Sequence, residues 1–393
     1  MQNRMTNRQW SEKYPKVGRG PVSTEPCISA EYFDRERDLI FRRYWINVGR
    51  VEEVAAPADY FVRELEVCRT SILVVCGKDN LVRAFHNVCP HRGNTLVWEE
   101  RGRCPGRFGC GFHSWAFTTE GQLAAVPDEE NFFDLDKSRH GLTPIHCDIW
   151  EGFIFINLAA QPAQTLREFL GEVATRLDGC PFDQMRLLRT FKCEERVNWK
   201  TALDAQNELY HLPFQHRFTI GDPFVLKDDK FCRFANVNLY DHHSVWSVEF
   251  NPHHVELPTE AVLNRLGSAA KRVDMSQRIS DFDFYVIFPN MVFLLFRGLA
   301  SDYYMTYNFW PVAVDRTVWE MRYYFPPATT AGQRLAQEWQ IGRLRDTLQE
   351  DARAHEGIQK GLAARARPDM VMQDEEIAIR HFHEVVEREM GHT

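Results

Sequence analysis

The sequence predicts an α+β protein in which an N-terminal all-β domain precedes a second domain with an antiparallel sheet and a long C-terminal helix. Between residues 48 and 158, short runs rich in Val, Ile and Phe are broken by Pro, Gly and Asp, which is typical of a small antiparallel domain. After residue 300, period-two alternation predicts two long strands, and an apolar stripe with steps of three and four predicts a helix over 331–363. A chain of 393 residues is long enough for both domains.

The composition argues against several classes of partner. A net charge of −8 and a sequence pI near 6.0 argue against nucleic acid. The sequence contains neither a Walker A loop nor a GxGxxG after a strand, so a nicotinamide or flavin would have to be bound by another protein. The longest nearly apolar run, 284–296, is too short to span a membrane, and the ten cysteines show no disulfide rhythm. We therefore expect a cytoplasmic protein without nucleic-acid or membrane partners.

Three parts are expected along the chain. Residues 1–47 are predicted to form an arm, with little structure up to residue 25, and an amphipathic helix from Ala30 to Asn47. Residues 48–160 form the first domain, whose last strand is expected to run from Trp150 to Asn157. Residues 161–393 form the second domain.

The second domain combines helices with strands. Its expected elements are a helix over 166–177, a strand near 187–194, a helix from 199 to about 212, the helix over 331–363 and a final helix over 375–390. Asn198 is the expected N-cap of the helix that begins at 199, and Pro213 is expected to end it. The segment Pro252–Val273 is a polar, helix-prone insertion without an assigned role.

Two mixed Cys/His pairs lie in the first domain. Cys89 and His91 are followed, after eighteen intervening residues, by Cys110 and His113, and prolines and glycines provide the turns around both pairs. A structural zinc site would group Cys with Cys and His with His beside a helix, whereas here each pair is mixed and lies between strands. Two thiolates and two imidazoles are the ligands of a Rieske iron-sulfur cluster. The sequence therefore predicts such a cluster, with structural zinc as the alternative.

A second metal site is predicted around the helix that begins at 199. Its polar residues recur at i, i+3, i+4 and i+7 and share one face, namely Asp204, Asn207, Glu208 and His211. A solvated surface would give the same pattern. His216 would point away on a straight helix, but if the helix ends at Pro213 the chain can turn back and bring both imidazoles together. Two histidines and one carboxylate form the non-haem Fe(II) oxygenase site.

The long C-terminal helix provides the carboxylate. Asp351 lies within the apolar stripe of this helix, and a buried ionised carboxylate needs a partner such as a metal. His355 shares the stripe, and we expect it to support the core or the site without binding metal.

These motifs resemble the Rieske non-haem iron oxygenases, specifically the large (alpha) subunits of aromatic ring-hydroxylating dioxygenases. The first domain has the family's Cys-Pro-His-Arg-Gly and Cys-x-x-His-x-Trp, with Ser114 where glycine is usual. The second has Asn-Trp-Lys, a carboxylate, Tyr-His and a second His, and later Glu-Asp. The resemblance implies a Rieske [2Fe-2S] cluster with Cys89 and Cys110 on one iron and His91 and His113 on the other.

For the second domain, the resemblance implies a helix-grip (START-like) fold in which His211, His216 and Asp351 bind a mononuclear Fe(II). It also implies that Glu208 links the two metal centres across a subunit boundary, in a homotrimer that either stands alone or forms an α3β3 assembly. We assign Asp204, on the same helix face, to the catalytic residues as well. Ring dioxygenases usually have Asp where this chain has Glu208, and Glu occurs in relatives that act on quaternary ammonium compounds.

The predicted function is that of a terminal oxygenase. A ferredoxin and/or flavin reductase would deliver electrons from NAD(P)H, and the enzyme would use O2 to hydroxylate an apolar, aromatic substrate. The residues expected to line the substrate pocket are Phe218, Phe284, Tyr285, Val292, Phe293 and Phe296. One alternative is a monooxygenase that carries out demethylation or cleaves a quaternary amine, and a second is an electron carrier whose C-terminal domain only binds a small molecule.

Overall fold

The computed structural model describes residues 9–220, 223–225, 229, 231–267, 273, 275–298 and 302–391. The chain divides into two compact units, one formed by residues 37–169 and the other by the residues before 37 together with those from 170 onward. Among the described helices, none is both long and apolar enough to cross a membrane.

Eight α-helices occur in the described residues. They are α1 (Gln9–Lys13), α2 (Ala30–Glu36), α3 (Leu166–Leu177), α4 (Trp199–Gln206), α5 (Leu212–Gln215), α6 (Pro258–Gly267), α7 (Ala331–Ala363) and α8 (Ile377–Glu389). The expected bounds of α3 and α7 agree with the structure.

The strands of the described residues, numbered in chain order, fall into four sheets. They are β1 (Val22–Ser23), β2 (Ile46–Arg50), β3 (Asp59–Leu65), β4 (Thr70–Cys76), β5 (Val82–His86), β6 (Arg101–Arg103), β7 (Phe108–Gly109), β8 (Ala116–Phe117), β9 (Leu123–Ala125), β10 (Pro144–Trp150), β11 (Phe153–Asn157), β12 (Arg186–Glu195), β13 (Asn236–Leu239), β14 (Ser244–Val248), β15 (Phe282–Ile287), β16 (Met291–Phe296), β17 (Tyr303–Ala313), β18 (Arg316–Phe325) and β19 (Asp369–Met370).

The unit formed by residues 37–169 is all-β, as predicted. It contains a seven-stranded sheet in the order β2-β11-β10-β5-β4-β3-β6 and a three-stranded sheet, β7-β8-β9. The strand expected over 150–157 is present as β11 but begins only at Phe153, because β10 ends at Trp150 and Glu151 and Gly152 between the two strands both have positive φ, at 47° and 81°. Two such residues form the tight turn that matches the twist of antiparallel strands.

The other unit is built on a seven-stranded sheet in the order β12-β18-β17-β16-β15-β14-β13, in which all neighbours are antiparallel. Helix α7 lies along one side of this sheet, where Trp319 of β18 contacts His355 of α7 with 5.6 Å between ring centroids. The C-cap of α4, Asn207, contacts the same side by accepting a 3.1 Å hydrogen bond from Trp246. We call this the helix-facing side of the sheet. The predicted antiparallel sheet with a long C-terminal helix is confirmed.

The helix expected from 199 to about 212 ends earlier than predicted. Asn198 caps α4 as expected, but the helix stops at Gln206 and a separate turn, α5, begins at Leu212. The break arises because the Glu208 carboxylate accepts hydrogen bonds from the backbone N–H groups of Tyr210 and His211, in competition with helical bonding. Pro213 lies in the first turn of α5, where proline is tolerated, so it does not end a helix.

The N-terminal arm is more ordered than the sequence indicated. In α1, the backbone N–H groups of Trp10 and Ser11 bond to the Asp374 carboxylate at 2.9 Å, and β1 pairs with β19. The helix expected over 30–47 is also too long, since α2 continues only as a π-helical turn over Arg37–Phe41 and β2 begins at Ile46. Long-range partners near the C-terminus, which local sequence does not reveal, account for the order of the arm.

Candidate metal centres

The two loops that carry the Cys/His pairs have the same backbone pattern. In each loop a cysteine carbonyl accepts a 2.9 Å hydrogen bond from the N–H four residues later, from Gly93 to Cys89 and from Ser114 to Cys110. Gly93 has φ = 78° and Ser114 has φ = 58°, so both occupy the left-handed region. Glycine is favoured there, which explains why it is usual at the position of Ser114. The serine leaves the loop conformation unchanged and costs backbone strain.

The four predicted cluster ligands converge between these loops. The thiols of Cys89 and Cys110 are buried and interact with each other by a hydrogen bond. The rings of His91 and His113 lie 4.7 Å apart and are more accessible to solvent, and His91 stacks on Trp115 at 4.8 Å. Two thiols on one side and two imidazoles on the other fit a Rieske cluster, in which cysteines bind one iron and histidines bind the second.

Backbone N–H groups surround the cluster thiols. Burial acts to raise the pKa of Cys110, but hydrogen bonds from the Phe112 backbone and the Asn94 side chain help to lower it overall. Such donors favour the thiolate form and raise the reduction potential of a cluster bound by it. By contrast, burial raises the pKa of Cys104, as expected for a protonated thiol that only packs in the core.

The second group of ligands lies at the ends of α5 and on α7. His211 and His216 flank α5, and Asp351 lies on α7; one donor atom from each lies within 4.8 Å of the others. The Nε2 of His216 is 2.9 Å from the Oδ1 of Asp351, and the Nε2 of His211 is 3.8 Å from the same oxygen. His216 and Asp351 are almost fully buried, while His211 is partly exposed.

Both imidazoles are oriented by a carboxylate on the opposite ring nitrogen. The Nδ1 of His211 donates to Glu208, and the Nδ1 of His216 donates to Glu350 at 2.6 Å. A carboxylate bound at Nδ1 fixes the tautomer in which Nε2 carries the free lone pair, and it makes that nitrogen a stronger ligand. Both Nε2 atoms therefore face Asp351 and are ready to bind a metal.

Two glutamines hold the Asp351 carboxylate. The amide of Gln206 donates to Oδ2 at 2.8 Å, and the amide of Gln215 donates to Oδ1 at 2.5 Å. Burial acts to raise the pKa of Asp351, but the adjacent side chains of His216 and His211 lower it overall, so the carboxylate stays ionised. Neither glutamine was predicted from the sequence; the position of Gln215 directly before a ligand was the available signal.

The donor set of two imidazoles and one carboxylate fits Fe(II) and leaves the other coordination positions open. Iron bound there would activate O2 beside the substrate with electrons from the cluster. The protein's own contribution is to orient His211, His216 and Asp351 through hydrogen bonds and to keep bulk water away from a largely buried site.

Comparison with known proteins agrees with both centres. Residues 182–392 match the family described as ring hydroxylating alpha subunit (catalytic domain), and residues 44–143 match the Rieske [2Fe-2S] domain. The chain belongs to the ring-hydroxylating alpha subunit family. It is thus the terminal oxygenase component of a Rieske oxygenase, with a Rieske cluster and a mononuclear iron as cofactors and a partner reductase as electron source. The electron-carrier alternative is set aside.

Individual relatives include enzymes with two kinds of substrate. The carnitine monooxygenase oxygenase subunit of Acinetobacter pittii is 28% identical over 342 residues, which cover 86% of this chain and 84% of the relative. A quaternary ammonium Rieske monooxygenase solved with L-carnitine superposes with a TM-score of 0.75 at 23% identity, over 94% of this chain and 95% of that one. Naphthalene 1,2-dioxygenase from Rhodococcus, solved with indole, gives 0.76 at 19% identity, over 98% of each chain. The two solved structures show that the fold is shared.

Asp204, one of the predicted catalytic residues of this Rieske oxygenase, does not belong to the group of metal ligands. The carboxylate of Asp204 on α4 accepts a 2.7 Å hydrogen bond from His383 of α8, and within the described part of the chain it has no bond to a metal ligand. The catalytic role expected for Asp204 therefore does not agree with its position. His355 bonds to the buried Glu195 at 2.7 Å and lies outside the ligand group, as expected of a supporting residue.

The six residues expected in the substrate pocket separate into three groups. Phe284, Val292 and Phe296 lie on the helix-facing side, because strand pairing aligns them with residues of that side: Trp246, Tyr307 and Tyr303. Tyr285 and Phe293 point to the opposite side, where Phe293 packs on Phe182 at 5.1 Å. Phe218 follows α5 and is 83% exposed. Tyr285 and Phe293 therefore lie on the side of the sheet away from α7, and their place in the pocket stays a prediction. Alternation does not identify the pocket, because both sides of this sheet are buried.

Proposed function

We propose that this Rieske oxygenase is a monooxygenase that hydroxylates a carbon bonded to the nitrogen of a quaternary ammonium substrate. One oxygen atom of O2 would enter the substrate and the other would leave as water, with two electrons from the reductase and two protons. The resulting (1-hydroxyalkyl)ammonium cation would lose its hydroxyl proton and break at the C–N bond, whose electron pair stays on nitrogen, to give a tertiary amine and a carbonyl compound. This is the alternative raised from the sequence, and an aromatic surface beside the iron ligands supports it best.

The aromatic surface consists of Tyr307, Phe309 and Trp319 on the helix-facing side of the sheet. The Trp319 ring lies 5.3 Å from the rings of both Tyr307 and Phe309. Tyr307 is close enough to Asp351 to interact with it electrostatically. A quaternary ammonium group offers no N–H donor, and proteins bind it with the faces of aromatic rings. An aromatic surface beside an anionic ligand set suits such a cation.

Glu208 gives independent support. Its carboxylate bonds to His211, at the position where ring dioxygenases usually have the shorter Asp. The resemblance associates Glu at this position with relatives that act on quaternary ammonium compounds. One of the relatives reported above is a carnitine monooxygenase.

The second candidate is the dihydroxylation of an aromatic ring. The helix-facing side also carries Phe284, Val292 and Phe296, all apolar and buried, and a surface of this composition would suit a neutral planar substrate equally well. We keep this candidate because of that composition.

We further propose that the oxygenase works as a homotrimer in the cytoplasm, either alone or with a smaller β subunit, and takes electrons from a ferredoxin and/or flavin reductase. In such an assembly Glu208 would connect His211 to His91 or His113 of a neighbouring copy. The assembly and its location remain predictions.

The decisive experiment compares a charged substrate with a neutral copy of the same shape. We expect binding of L-carnitine or glycine betaine to exceed that of the isostere in which carbon replaces the quaternary nitrogen by about tenfold or more, since a desolvated cation–π contact contributes about 2 kcal/mol. Labelled O2 should place one oxygen atom in the products. Equal binding of the two compounds, or a diol carrying both labelled atoms from an aromatic substrate, would favour the second candidate.

A matched pair of variants tests which side of the sheet produces the preference for the charged compound. Trp319→Leu should reduce the preference for the charged compound, because it removes a ring from the helix-facing side. Phe293→Leu removes a buried ring from the opposite side and should leave the preference unchanged. Measuring the ratio of the two dissociation constants cancels any general loss of stability in either variant.

A further inference from the structure

We infer that α6, the helix of the insertion over 252–273, positions the iron ligand His216. Glu260 of α6 pairs with Arg343 of α7, Arg343 holds Thr219, and Thr219 and His216 both bond to Glu350. The insertion is thus a support of the mononuclear iron site, whichever substrate the enzyme uses.

The first link joins the ligand to the loop that follows it. The Nδ1 of His216 and the hydroxyl of Thr219 both bond to Oε2 of Glu350, at 2.6 and 3.0 Å. The backbone N–H of Thr219 also donates to the carbonyl of His216 at 3.0 Å. The position of Thr219 therefore sets the position of Glu350 and, with it, the direction of the imidazole.

The second link joins this loop to α7. The guanidinium of Arg343 donates two hydrogen bonds to the carbonyl oxygen of Thr219, from Nε at 3.1 Å and from Nη2 at 2.8 Å. A planar guanidinium bound through two donors fixes both the distance and the angle of its acceptor. A lysine at this position could not do the same.

The third link joins α7 to the insertion. Nη1 of Arg343 pairs with Oε1 of Glu260, a carboxylate that is only 2% exposed. The other oxygen of Glu260 accepts the backbone N–H of Leu257 at 2.9 Å and lies 3.3 Å from the Nε2 of His254. Glu260 is the sole carboxylate in the described residues that forms an ion pair with Arg343. Burial of a carboxylate is costly unless it is paired, so this contact fixes α6 to Arg343.

A simpler explanation is that α6 only covers α7. Leu263 of α6 packs with Ala336 and Trp339 of α7, and this contact alone could hold the helix in place. The two explanations differ in their consequence for the metal. Packing alone predicts no change in iron affinity when the charge of Glu260 is removed, whereas the linked hydrogen bonds predict a loss, since residues that orient metal ligands commonly contribute 10- to 100-fold in affinity.

The test is an anaerobic titration of Fe(II) into enzyme that retains its Rieske cluster but has lost the mononuclear iron to a chelator. Glu260→Gln should weaken binding at this site by about tenfold while the visible spectrum of the cluster stays unchanged. The matched control is Glu256→Gln, which alters an exposed carboxylate of the same insertion that bonds to Asn264. Unchanged affinity in Glu260→Gln, or an equal loss in both variants, overturns the inference.

A double-mutant cycle tests whether the links act in series. Arg343→Gln should lower the affinity as much as Glu260→Gln does, and the double variant should be no weaker than either one. The control for Arg343 is Arg345→Gln, which alters an exposed residue of α7 that pairs with Asp346. Additive losses would mean that the two residues act separately and would contradict the inference.

A milder pair of variants keeps the test valid if the charge variants fail to fold. Thr219→Val removes the hydroxyl that bonds to Glu350 but retains the carbonyl that Arg343 binds. It should weaken iron binding, and Thr219→Ser, which keeps the hydroxyl, should restore it. Equal affinity in the Val and Ser variants would overturn the role assigned to this loop.

Discussion

The two metal centres are held in place by different kinds of interaction. At the cluster site, the ligands lie on two loops close together in sequence, and backbone hydrogen bonds within each loop set their positions. At the mononuclear site, ligands at the ends of α5 meet a ligand on α7, and side chains from other elements orient all three. The first site depends on local backbone conformation, and the second depends on the tertiary structure around it.

This difference predicts how each centre responds to substitution. Few side chains besides the ligands should matter at the cluster, whereas a wider set should matter at the mononuclear iron. The four sets of variants below test this contrast and the connection between the two centres.

The largest effect is expected from the cluster ligands. Cys89→Ser or His113→Ala should abolish the visible absorbance of the cluster, lower iron by about two per chain and destabilise the domain, because metal binding contributes directly to folding. Optical spectra and iron analysis provide the measurement. Cys104→Ser is the control and should keep the visible absorbance of the cluster. Loss of the cluster in that variant would show that the wrong thiol was assigned as a ligand.

The mononuclear ligands should show a narrower defect. His211→Ala or Asp351→Ala should abolish turnover and lower iron from about three to about two per chain, while the cluster spectrum persists, since the ligand sets are separate. Full iron and activity in either variant would disprove its role as a ligand. The control, His355→Ala, should retain iron but lose about 3 kcal/mol of stability, because it leaves Glu195 buried without its partner.

Glu208 tests the connection between the centres. Glu208→Gln should keep about three irons per chain and an unchanged cluster spectrum, yet greatly slow oxidation of the reduced cluster in the presence of substrate and O2. Stopped-flow absorbance measures this rate. Loss of the mononuclear iron would instead indicate that holding His211 is the main role of Glu208, and a normal rate would show that it does not connect the centres.

The smallest effect is expected from the loop backbone. Ser114→Gly should increase the unfolding free energy of the cluster domain by about 1 kcal/mol, because glycine adopts the left-handed conformation without the strain that a Cβ introduces. The reciprocal change on the equivalent loop, Gly93→Ser, should decrease the unfolding free energy by a similar amount. An added Cβ would meet no atom within 4 Å there, so only the backbone strain changes. Thermal unfolding of the holoenzyme measures both. Identical stability in all three proteins would contradict the assigned strain.

The local sequence was sufficient to predict the features whose residues lie close together in the chain. The mixed Cys/His pairs identified the cluster because its ligands and turn residues lie on the same loops, and the apolar stripe located α7 and the buried Asp351. The alternation of apolar residues from Tyr303 to Phe309 also located β17, because the two-residue periodicity of a strand can be recognised within a few residues.

The remaining features depend on partners that are distant in sequence. The end of α4 depends on which backbone groups the Glu208 carboxylate binds, and propensity does not reveal that choice. Glutamine is a common surface residue, so Gln206 and Gln215 are not distinctive in the sequence. They belong to the site because their side-chain amides donate hydrogen bonds to Asp351. Tyr285 could not be assigned to a side of the sheet, because residues on both sides are apolar and buried.

The contacts of helix α7 with the mononuclear iron site limit where the chain can gain or lose residues. Adjacent residues on a helix point about 100° apart, so Glu350 and Asp351 reach opposite nitrogens of the same imidazole, that of His216. Inserting or deleting one residue between Arg343 and Glu350 would rotate both carboxylates by about 100° relative to Arg343 and separate His216 from one or both. Gln359, which bonds to the backbone of Asn198 at 3.0 Å, fixes the same helix on the far side of the site. The interval from 343 to 359 should therefore accept no insertion or deletion, even at exposed positions such as Arg345 and Asp346 where a substitution is tolerated, and changes in length should be confined to the turns at either end of the helix.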